Sequence, residues 1–205
     1  MKFSEIEKIA TSIRRELGKK FGYKQSDYIN WKIKDGYFFC LDTLHVIHTE
    51  LSVKPIFIDD LYWRIIYPNA KKKLPDSLRG NGSLSHLCEK IWEERFPEKL
   101  KKDFSAEEYE QIFTNVYQTA DKEIDKFLQK YPDPNMFDEL LSEKAYLSKT
   151  LIQINQGNFQ NAIKLAEKGL NYERGVHISY RMPDGNEKNE FEFILDYCRT
   201  QESVR

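Results

Sequence analysis

The chain has 205 residues, of which 40% are hydrophobic and 14% aromatic, a composition typical of a folded globular protein rather than a disordered one. Its 32 Lys and Arg residues and 33 Asp and Glu residues give a formal net charge of -1, so neither a nucleic acid nor an anionic membrane is expected as a partner. Apolar runs are short and charges interrupt the N-terminal ones, so we expect neither a transmembrane helix nor a signal peptide. Cys40, Cys88 and Cys198 lie far apart and are odd in number, which favours reduced thiols in a cytoplasm.

The first predicted element is an amphipathic helix near the start of the chain. Its apolar face is formed by residues spaced three and four apart: Ile6, Ile9, Ala10, Ile13 and Leu17. Such spacing places side chains on one side of a helix. Gly18 or Gly22 is expected to end the helix in a left-handed cap.

Alternation of apolar and polar residues then predicts a β-hairpin. Residues 29–34 and residues 37–46 are the two strands, and they flank Asp35 and Gly36. An Asp-Gly pair between alternating segments is typical of a hairpin turn, because both turn positions need positive φ angles.

Two further strands are predicted over residues 51–58 and 61–67, with a turn at Asp59 and Asp60 between them. Pro55 has no backbone donor, so its strand is expected to lie at an edge or to carry a bulge. The short connections favour an antiparallel sheet of about four strands.

The pattern changes over residues 68–83, which are rich in Lys, Pro, Gly and Asn. We interpret this stretch as a linker loop between a helix plus strand meander, residues 1–67, and a mainly helical part, residues 84–205. Both parts belong to a single predicted domain, residues 1–205. The predicted fold class is α+β, with the sheet covered by the N-terminal helix and the helical C-terminal half.

Apolar periodicity places the later helices along the chain. They are predicted over residues 84–95, from the capping-box pair Ser105 and Glu108 to Pro132, and over residues 136–156 and 159–170. Residues 176–182 are expected to form a strand. Residues 191–199 fit either a helix or a strand, and we favour the helix.

The last helical pair contains a motif of small and apolar residues: Gly157, Asn158, Phe159, Ala162, Ile163, Lys168 and Leu170. Through these positions residues 145–172 resemble one tetratricopeptide repeat, and we expect a repeat-like hairpin over residues 138–170. The resemblance implies a protein-binding surface. A hairpin that only completes the core is the alternative, since a groove needs about three stacked repeats.

Three short segments, residues 21–24, 62–65 and 124–131, are similar to segments of a bacterial family, the domain of unknown function 4304. The resemblance spans residues 4–141. It implies an α+β fold with an opening amphipathic helix, a strand meander and a closing helix, and it implies no catalytic residues.

A candidate anion site is predicted where the loop meets the next helix. Gly80, Gly82 and Ser83 would expose backbone N–H groups at a helix start, while Arg79 and Lys72 add positive charge. A phosphate-containing ligand would suit this arrangement. The alternative is a flexible loop with a serine N-cap.

Metal-ligating residue types also cluster in two places. His45, His48 and Glu50 are close in sequence, and His86 with Cys88 offers a second half-site. On one strand His48 and Glu50 share a face and His45 points to the other, so a turn near Thr49 would be needed to gather all three. His86 and Cys88 lack the spacing of a zinc centre. We therefore predict no metal, no cofactor and no catalytic residues.

Aromatic residues are abundant in the first third: Tyr28, Trp31, Tyr37, Phe38, Phe39, Phe57, Tyr62, Trp63 and Tyr67. They form either a core or a docking surface, and we favour the core.

Three functional hypotheses follow from the sequence. The first is a non-catalytic cytoplasmic protein-interaction protein that uses its aromatic or helical-hairpin surface. The second is an enzyme or receptor for a small anionic ligand bound near residues 79–83. The third is a bacterial immunity or antitoxin-like protein, by analogy of fold alone. The partner and the oligomeric state stay open.

Overall fold

The computed structural model describes residues 3–26, 29–45, 48–95, 105–172, 178–182 and 185–203. Its helices and strands are α1 (Phe3–Lys20), β1 (Lys24–Ser26), β2 (Ile29–Lys34), β3 (Tyr37–His45), β4 (His48–Pro55), α2 (Ile56–Ile66), β5 (Glu89–Arg95), α3 (Ala106–Lys130), α4 (Tyr146–Asn155), α5 (Phe159–Leu170), β6 (Ser179–Arg181), β7 (Glu187–Asn189) and α6 (Glu190–Ser203). The α+β fold class is as predicted. Over the described part of the chain, every helix is too short or too polar to span a membrane.

The chain divides into two compact units. Unit 1 comprises Met1–Lys54 and Cys88–Pro134, and unit 2 comprises Pro55–Leu87 and Asn135–Arg205. The single domain over residues 1–205 stays a prediction.

Unit 1 is built on a five-stranded sheet in the order β1-β2-β3-β4-β5. Strands β2 and β3 form the predicted antiparallel hairpin, with Lys34 opposite Tyr37. Asp35 and Gly36 between them have φ angles of 50° and 80°. Two positive φ angles give the turn a twist that matches the twist of the flanking strands, so the Asp-Gly prediction is confirmed.

Helix α3 packs against α1 and contacts the sheet. The Phe127 ring lies edge-on to Tyr37 and Phe39 of β3, with centroids 5.1 and 5.8 Å away. The Tyr117 hydroxyl donates a hydrogen bond of 3.0 Å to the Arg14 carbonyl of α1. All five side chains are buried, so the core of unit 1 includes the layer between α1, α3 and one face of the sheet.

The predicted capping box begins α3. Ser105 is the N-cap, its hydroxyl accepts a hydrogen bond from the Glu108 N–H at 3.3 Å, and the Glu108 carboxylate accepts from the Ser105 N–H at 2.7 Å. This reciprocal pair satisfies two backbone donors that the helix leaves free.

The strand predicted over residues 61–67 is wrong, because these residues belong mainly to helix α2. Asp59 and Asp60, predicted as a turn, lie near the start of this helix. The buried residues of α2 include Ile58, Leu61, Tyr62, Ile65 and Ile66, a spacing that fits a helix. Pro55 ends β4 and is the N-cap of α2, and the strand irregularity lies instead between Leu51 and Ser52.

The helix predicted over residues 84–95 is also wrong. A 3-10 helix (Gly82–Leu87) is followed by strand β5, which pairs antiparallel with β4. The sheet therefore has a fifth strand drawn from far along the chain.

Unit 2 contains α2, α4, α5 and α6. Helices α4 and α5 pack against each other and reverse at Gly157, whose φ angle is 75°. Ala162 and Ala166 of α5 are fully buried. A helical hairpin is thus present within residues 138–170. The helix predicted over residues 136–156 is wrong for its first ten residues, because α4 begins at Tyr146 and residues 136–139 belong to a 3-10 helix (Pro134–Glu139).

Helix α6 packs against α5. A Cβ atom at Gly169 would lie 2.4 Å from the Phe191 ring, so the two helices approach closely at this glycine. The helix favoured over residues 191–199 is confirmed. The strand predicted over residues 176–182 is the shorter β6, which pairs with β7; residues 176 and 177 lie outside the described residues.

Candidate functional site

The candidate functional site is a cleft of about 600 Å³ beside helix α2 in unit 2. We call it the basic cleft. Its lining residues are Asp60, Trp63, Arg64, Tyr67, Pro68, Ala70, Lys71, Lys72, Lys73, Leu74, Asp76 and Arg79. Five cationic side chains against two carboxylates give the cleft a net positive charge, in contrast with the nearly neutral chain.

Arg79 forms the floor of this region and is almost completely buried. Its guanidinium lies 2.7 Å from a carboxylate oxygen of Asp60, 3.0 Å from Asp76 and 3.4 Å from the buried Asp59. It also donates to the Ile56 carbonyl at 3.2 Å. Burial lowers the pKa of Arg79, but the hydrogen bonds to Asp60 and Asp76 outweigh it and the net change is upward. The charge of Arg79 is therefore used inside unit 2.

The other four cations of the basic cleft are available to a ligand. Arg64 is exposed, and so are the three lysines at residues 71–73. Within the described part of the chain, no carboxylate lies within ion-pair distance of them. Arg64 belongs to the last turn of α2, and the Lys72 carbonyl accepts a hydrogen bond of 3.4 Å from the Trp63 indole. That bond holds the lysine segment next to the helix.

An aromatic pair forms one wall of the cleft. Trp63 and Tyr67 lie one helical turn apart, with ring centroids separated by 4.5 Å. Tyr67 is 39% exposed. Paired aromatic faces beside cations suit a partner that has both carboxylates and apolar surface.

A smaller depression of about 190 Å³ adjoins the same wall. We call it the apolar dent. It is lined by Tyr62, Trp63, Tyr67, Leu78, Asn81, Gly82 and Leu84. Leu78 is 42% exposed, so the dent presents an aliphatic side chain to solvent.

The residues predicted to bind an anion have different environments. Lys72 lies in the basic cleft, while Arg79 and Gly80 are buried. Gly82 lines the apolar dent with a φ angle of 55°, and the Ser83 side chain lies outside the described residues. Gly82 and Ser83 begin a 3-10 helix of six residues and not an α-helix. Anion binding by this set stays a prediction.

Sequence reasoning named Trp63 and Tyr67 only within an aromatic set that it assigned to the core rather than to a docking surface, and it missed Arg64. The mistaken strand at residues 61–67 would put Trp63 and Tyr67 four positions apart along an extended chain. In a helix the same spacing makes them neighbours on one face. The clue in the sequence was an aromatic pair at that spacing immediately before a run of lysines.

A second depression of about 470 Å³ lies at the turn between α4 and α5. Its lining includes Asn158, Gln160 and Asn161 together with Glu202. Gln160 donates to Glu202, and Asn158 donates to Gln153 at 3.3 Å. Three of these polar side chains, those of Asn158, Gln160 and Glu202, already bond within unit 2, so this depression is the weaker site.

The residues best placed to hold a metal lie on the sheet of unit 1. His48, Glu50 and Glu93 each bring a ligand atom to within 4.8 Å of the others. Glu50 and Glu93 are directly opposite across β4 and β5. The Lys90 ammonium forms an ion pair with Glu93 and lies 4.0 Å from Glu50, so a lysine already supplies positive charge between them. We assign no metal function to this group.

The other predicted ligands do not extend the group. The His45 side chain lies outside the described residues, and His86 is exposed on the 3-10 helix of unit 2. Cys88, the other member of that half-site, is a half-buried residue of unit 1. Cys40 of unit 1, which was not a predicted ligand, is buried, and burial together with Cys88 raises the pKa of its thiol well above the usual range. A thiol of that kind is a poor nucleophile and a poor metal ligand.

A scan against protein families, a search of curated proteins and a search of solved structures found no match to the chain. Functional interpretation therefore rests on the geometry of the site.

Proposed function

We propose that the protein is a non-catalytic protein-interaction protein that binds an acidic segment of its partner in the basic cleft. One observation carries the proposal: Arg64 and the lysines at residues 71–73 surround an aromatic pair without being neutralised by described carboxylates. Complementary charge steers such a partner to the cleft and fixes its orientation. Trp63 and Tyr67 add the aromatic contact area that is enriched at binding hot spots.

The chemistry of the lining supports binding rather than catalysis. The described residues that line the basic cleft include no Ser, Thr, Cys or His. Covalent catalysis by a hydroxyl or thiol that a neighbouring base activates needs such residues in hydrogen-bonded pairs. The two carboxylates of the lining, Asp60 and Asp76, are both bonded to Arg79, which leaves neither as a ready general base.

The proposed setting is the cytoplasm, where Cys40, Cys88 and Cys198 would stay as reduced thiols. An immunity or antitoxin-like role would be one form of this function, with a toxin as the acidic partner. The resemblances to a tetratricopeptide repeat and to the domain of unknown function 4304 fit a binding role and remain proposals.

Titration of a fluorescein-labelled oligoglutamate peptide into the protein tests the function. We expect saturable binding that weakens as salt rises, because the cations are exposed and screened. Reversal of Lys71, Lys72 and Lys73 to Glu should weaken binding at least tenfold. The matched control reverses three exposed lysines elsewhere in unit 2, Lys144, Lys164 and Lys168, and should have little effect.

Equal weakening by the two triple variants would contradict the proposal, since net charge alone would then explain binding. Tighter binding of a single-stranded oligonucleotide of equal charge would contradict it as well. If the protein does not bind the peptide even at low salt, the proposed function is wrong.

The second candidate is a receptor or enzyme for a small phosphate-containing ligand near residues 79–83. Because Arg79 is neutralised internally, this function depends on Lys72 and its neighbours. Thermal shift with inorganic phosphate and with a nucleoside triphosphate tests it. If either ligand stabilises the parent chain but not the variant in which Lys71, Lys72 and Lys73 are reversed to Glu, the result would favour the phosphate receptor over the binding of an acidic segment.

A further inference from the structure

The apolar dent adjoins the basic cleft but has a different chemistry. Trp63 and Tyr67 line both depressions, so the aromatic pair is the wall between them. The described lining of the dent contains no Asp, Glu, His, Lys or Arg, and Asn81 is its one side-chain amide. A charged group placed there would lose hydration without gaining a partner, so the dent selects an apolar side chain.

The large hydrophobic side chains that are exposed in the described part of the chain also favour binding of an apolar group in the apolar dent. Large hydrophobic residues are described as exposed at Ile33, Tyr67 and Leu78. Two of these, Tyr67 and Leu78, line the dent. Their exposure leaves apolar surface that a bound side chain would remove from water.

The cations lie on one side of the aromatic wall only. Arg64 and residues 71–73 line the basic cleft, and none of them lines the dent. A ligand that occupies both depressions therefore needs negative charge at one end and an apolar group at the other.

We infer that the partner segment carries an apolar anchor residue immediately next to a run of acidic residues. The anchor enters the apolar dent, and the carboxylates face Arg64 and the lysines of the basic cleft. A volume of about 190 Å³ suits one aliphatic or aromatic side chain. This inference rests on the proposed function, because it names the kind of segment that the basic cleft recognises.

Four labelled peptides of equal length test the inference by fluorescence anisotropy on the full chain. They combine an acidic or an uncharged Gln run with Leu or Ala at the adjacent anchor position. We expect Leu to tighten binding of the acidic peptide about tenfold over Ala. That gain should persist at high salt, whereas the contribution of the acidic run should fall.

Two variants, one in the apolar dent and one at a matched surface position, test whether the tighter binding of Leu peptides arises in the dent. Leu78→Asp should abolish the difference between Leu and Ala peptides. Its added carboxylate should weaken both acidic peptides alike, and these should still bind more tightly than the Gln peptides. Ile33→Asp removes a similarly exposed hydrophobic residue from unit 1 and should change neither difference. Circular dichroism checks folding, and Leu78→Ala replaces Leu78→Asp if the latter does not fold.

The outcomes separate the two proposals. If acidic peptides bind but Leu adds nothing over Ala, the anchor inference is overturned and the proposed function stands. Equal loss of the Leu gain in Leu78→Asp and Ile33→Asp also overturns it. If the acidic run adds nothing to any peptide, the proposed function itself fails.

Discussion

Arg79 donates to acceptors from two segments of unit 2: the Asp76 carboxylate in the loop after α2, and the Ile56 carbonyl with the Asp59 and Asp60 carboxylates at the start of α2. The planar guanidinium group of arginine has five N–H donors and can reach all of these acceptors at once, whereas the compact ammonium group of lysine cannot. The loop after α2 is therefore fastened to the start of α2 by one buried side chain.

Substitution Arg79→Met should destabilise the fold by about 3–5 kcal/mol, because it leaves the Asp59 carboxylate buried without its cation. Arg79→Lys should recover only part of the loss. Urea unfolding followed by circular dichroism measures the change. Lys72→Met in the basic cleft is the control, and its free energy of unfolding should stay within about 0.5 kcal/mol of the parent chain. Equal stability of the Arg79 and Lys72 variants would show that Arg79 is not a structural cation.

The N-terminal boundary of helix α3 is determined by residues that are close together in the sequence. Ser105 and Glu108 satisfy each other's backbone N–H groups, and the spacing alone predicted this. Ser105→Ala should lower the free energy of unfolding by about 1 kcal/mol. Glu108→Gln should cost less, because Gln serves the same capping box. Thermal unfolding compares the two variants, and the account fails if Ser105→Ala is as stable as the parent chain.

Elements that depend on distant partners were not predictable in this way. Helix α2 is apolar at nearly every position except Asp59, Asp60 and Arg64, so its sequence fits both a strand and a helix. Strand β5 contains Glu and Lys residues that favour helices, and it is a strand because β4 offers it a pairing edge. Local pattern does not contain that information.

The candidate site was predictable to the same extent as the elements around it. Lys72 and Gly82 were predicted because the loop composition is visible in the sequence. Trp63 and Tyr67 were assigned to the core rather than to a docking surface, because their shared helical face depends on α2. The internal use of Arg79 was missed for a related reason, since Asp59 and Asp60 had been interpreted as a turn.

Across the whole molecule, buried acids that are neutral when folded set an alkaline limit to stability. Burial raises the pKa of Tyr23, Tyr37 and Tyr117 in unit 1 above the usual range, with Asp121 and Asp133 adding to the effect at Tyr23 and Tyr37. In unit 2, burial and Glu202 raise the pKa of the Cys198 thiol to about 11. Each group keeps its proton in the folded state at a pH where the unfolded chain releases it.

The free energy of unfolding should therefore be constant up to about pH 8 and fall above about pH 9, first through Cys40 and Cys198 and then through the tyrosines. The sign follows from linkage: a folded pKa above the unfolded pKa stabilises the fold fully below the unfolded value, and the stabilisation is lost as pH rises towards the folded value. Urea unfolding between about pH 7 and 11 measures the slope. Tyr117→Phe should lower stability at neutral pH, because the hydrogen bond to the Arg14 carbonyl is lost, yet reduce the alkaline slope. Unchanged stability of the parent chain up to about pH 11 would mean that these groups ionise as readily in the folded protein as in the unfolded chain.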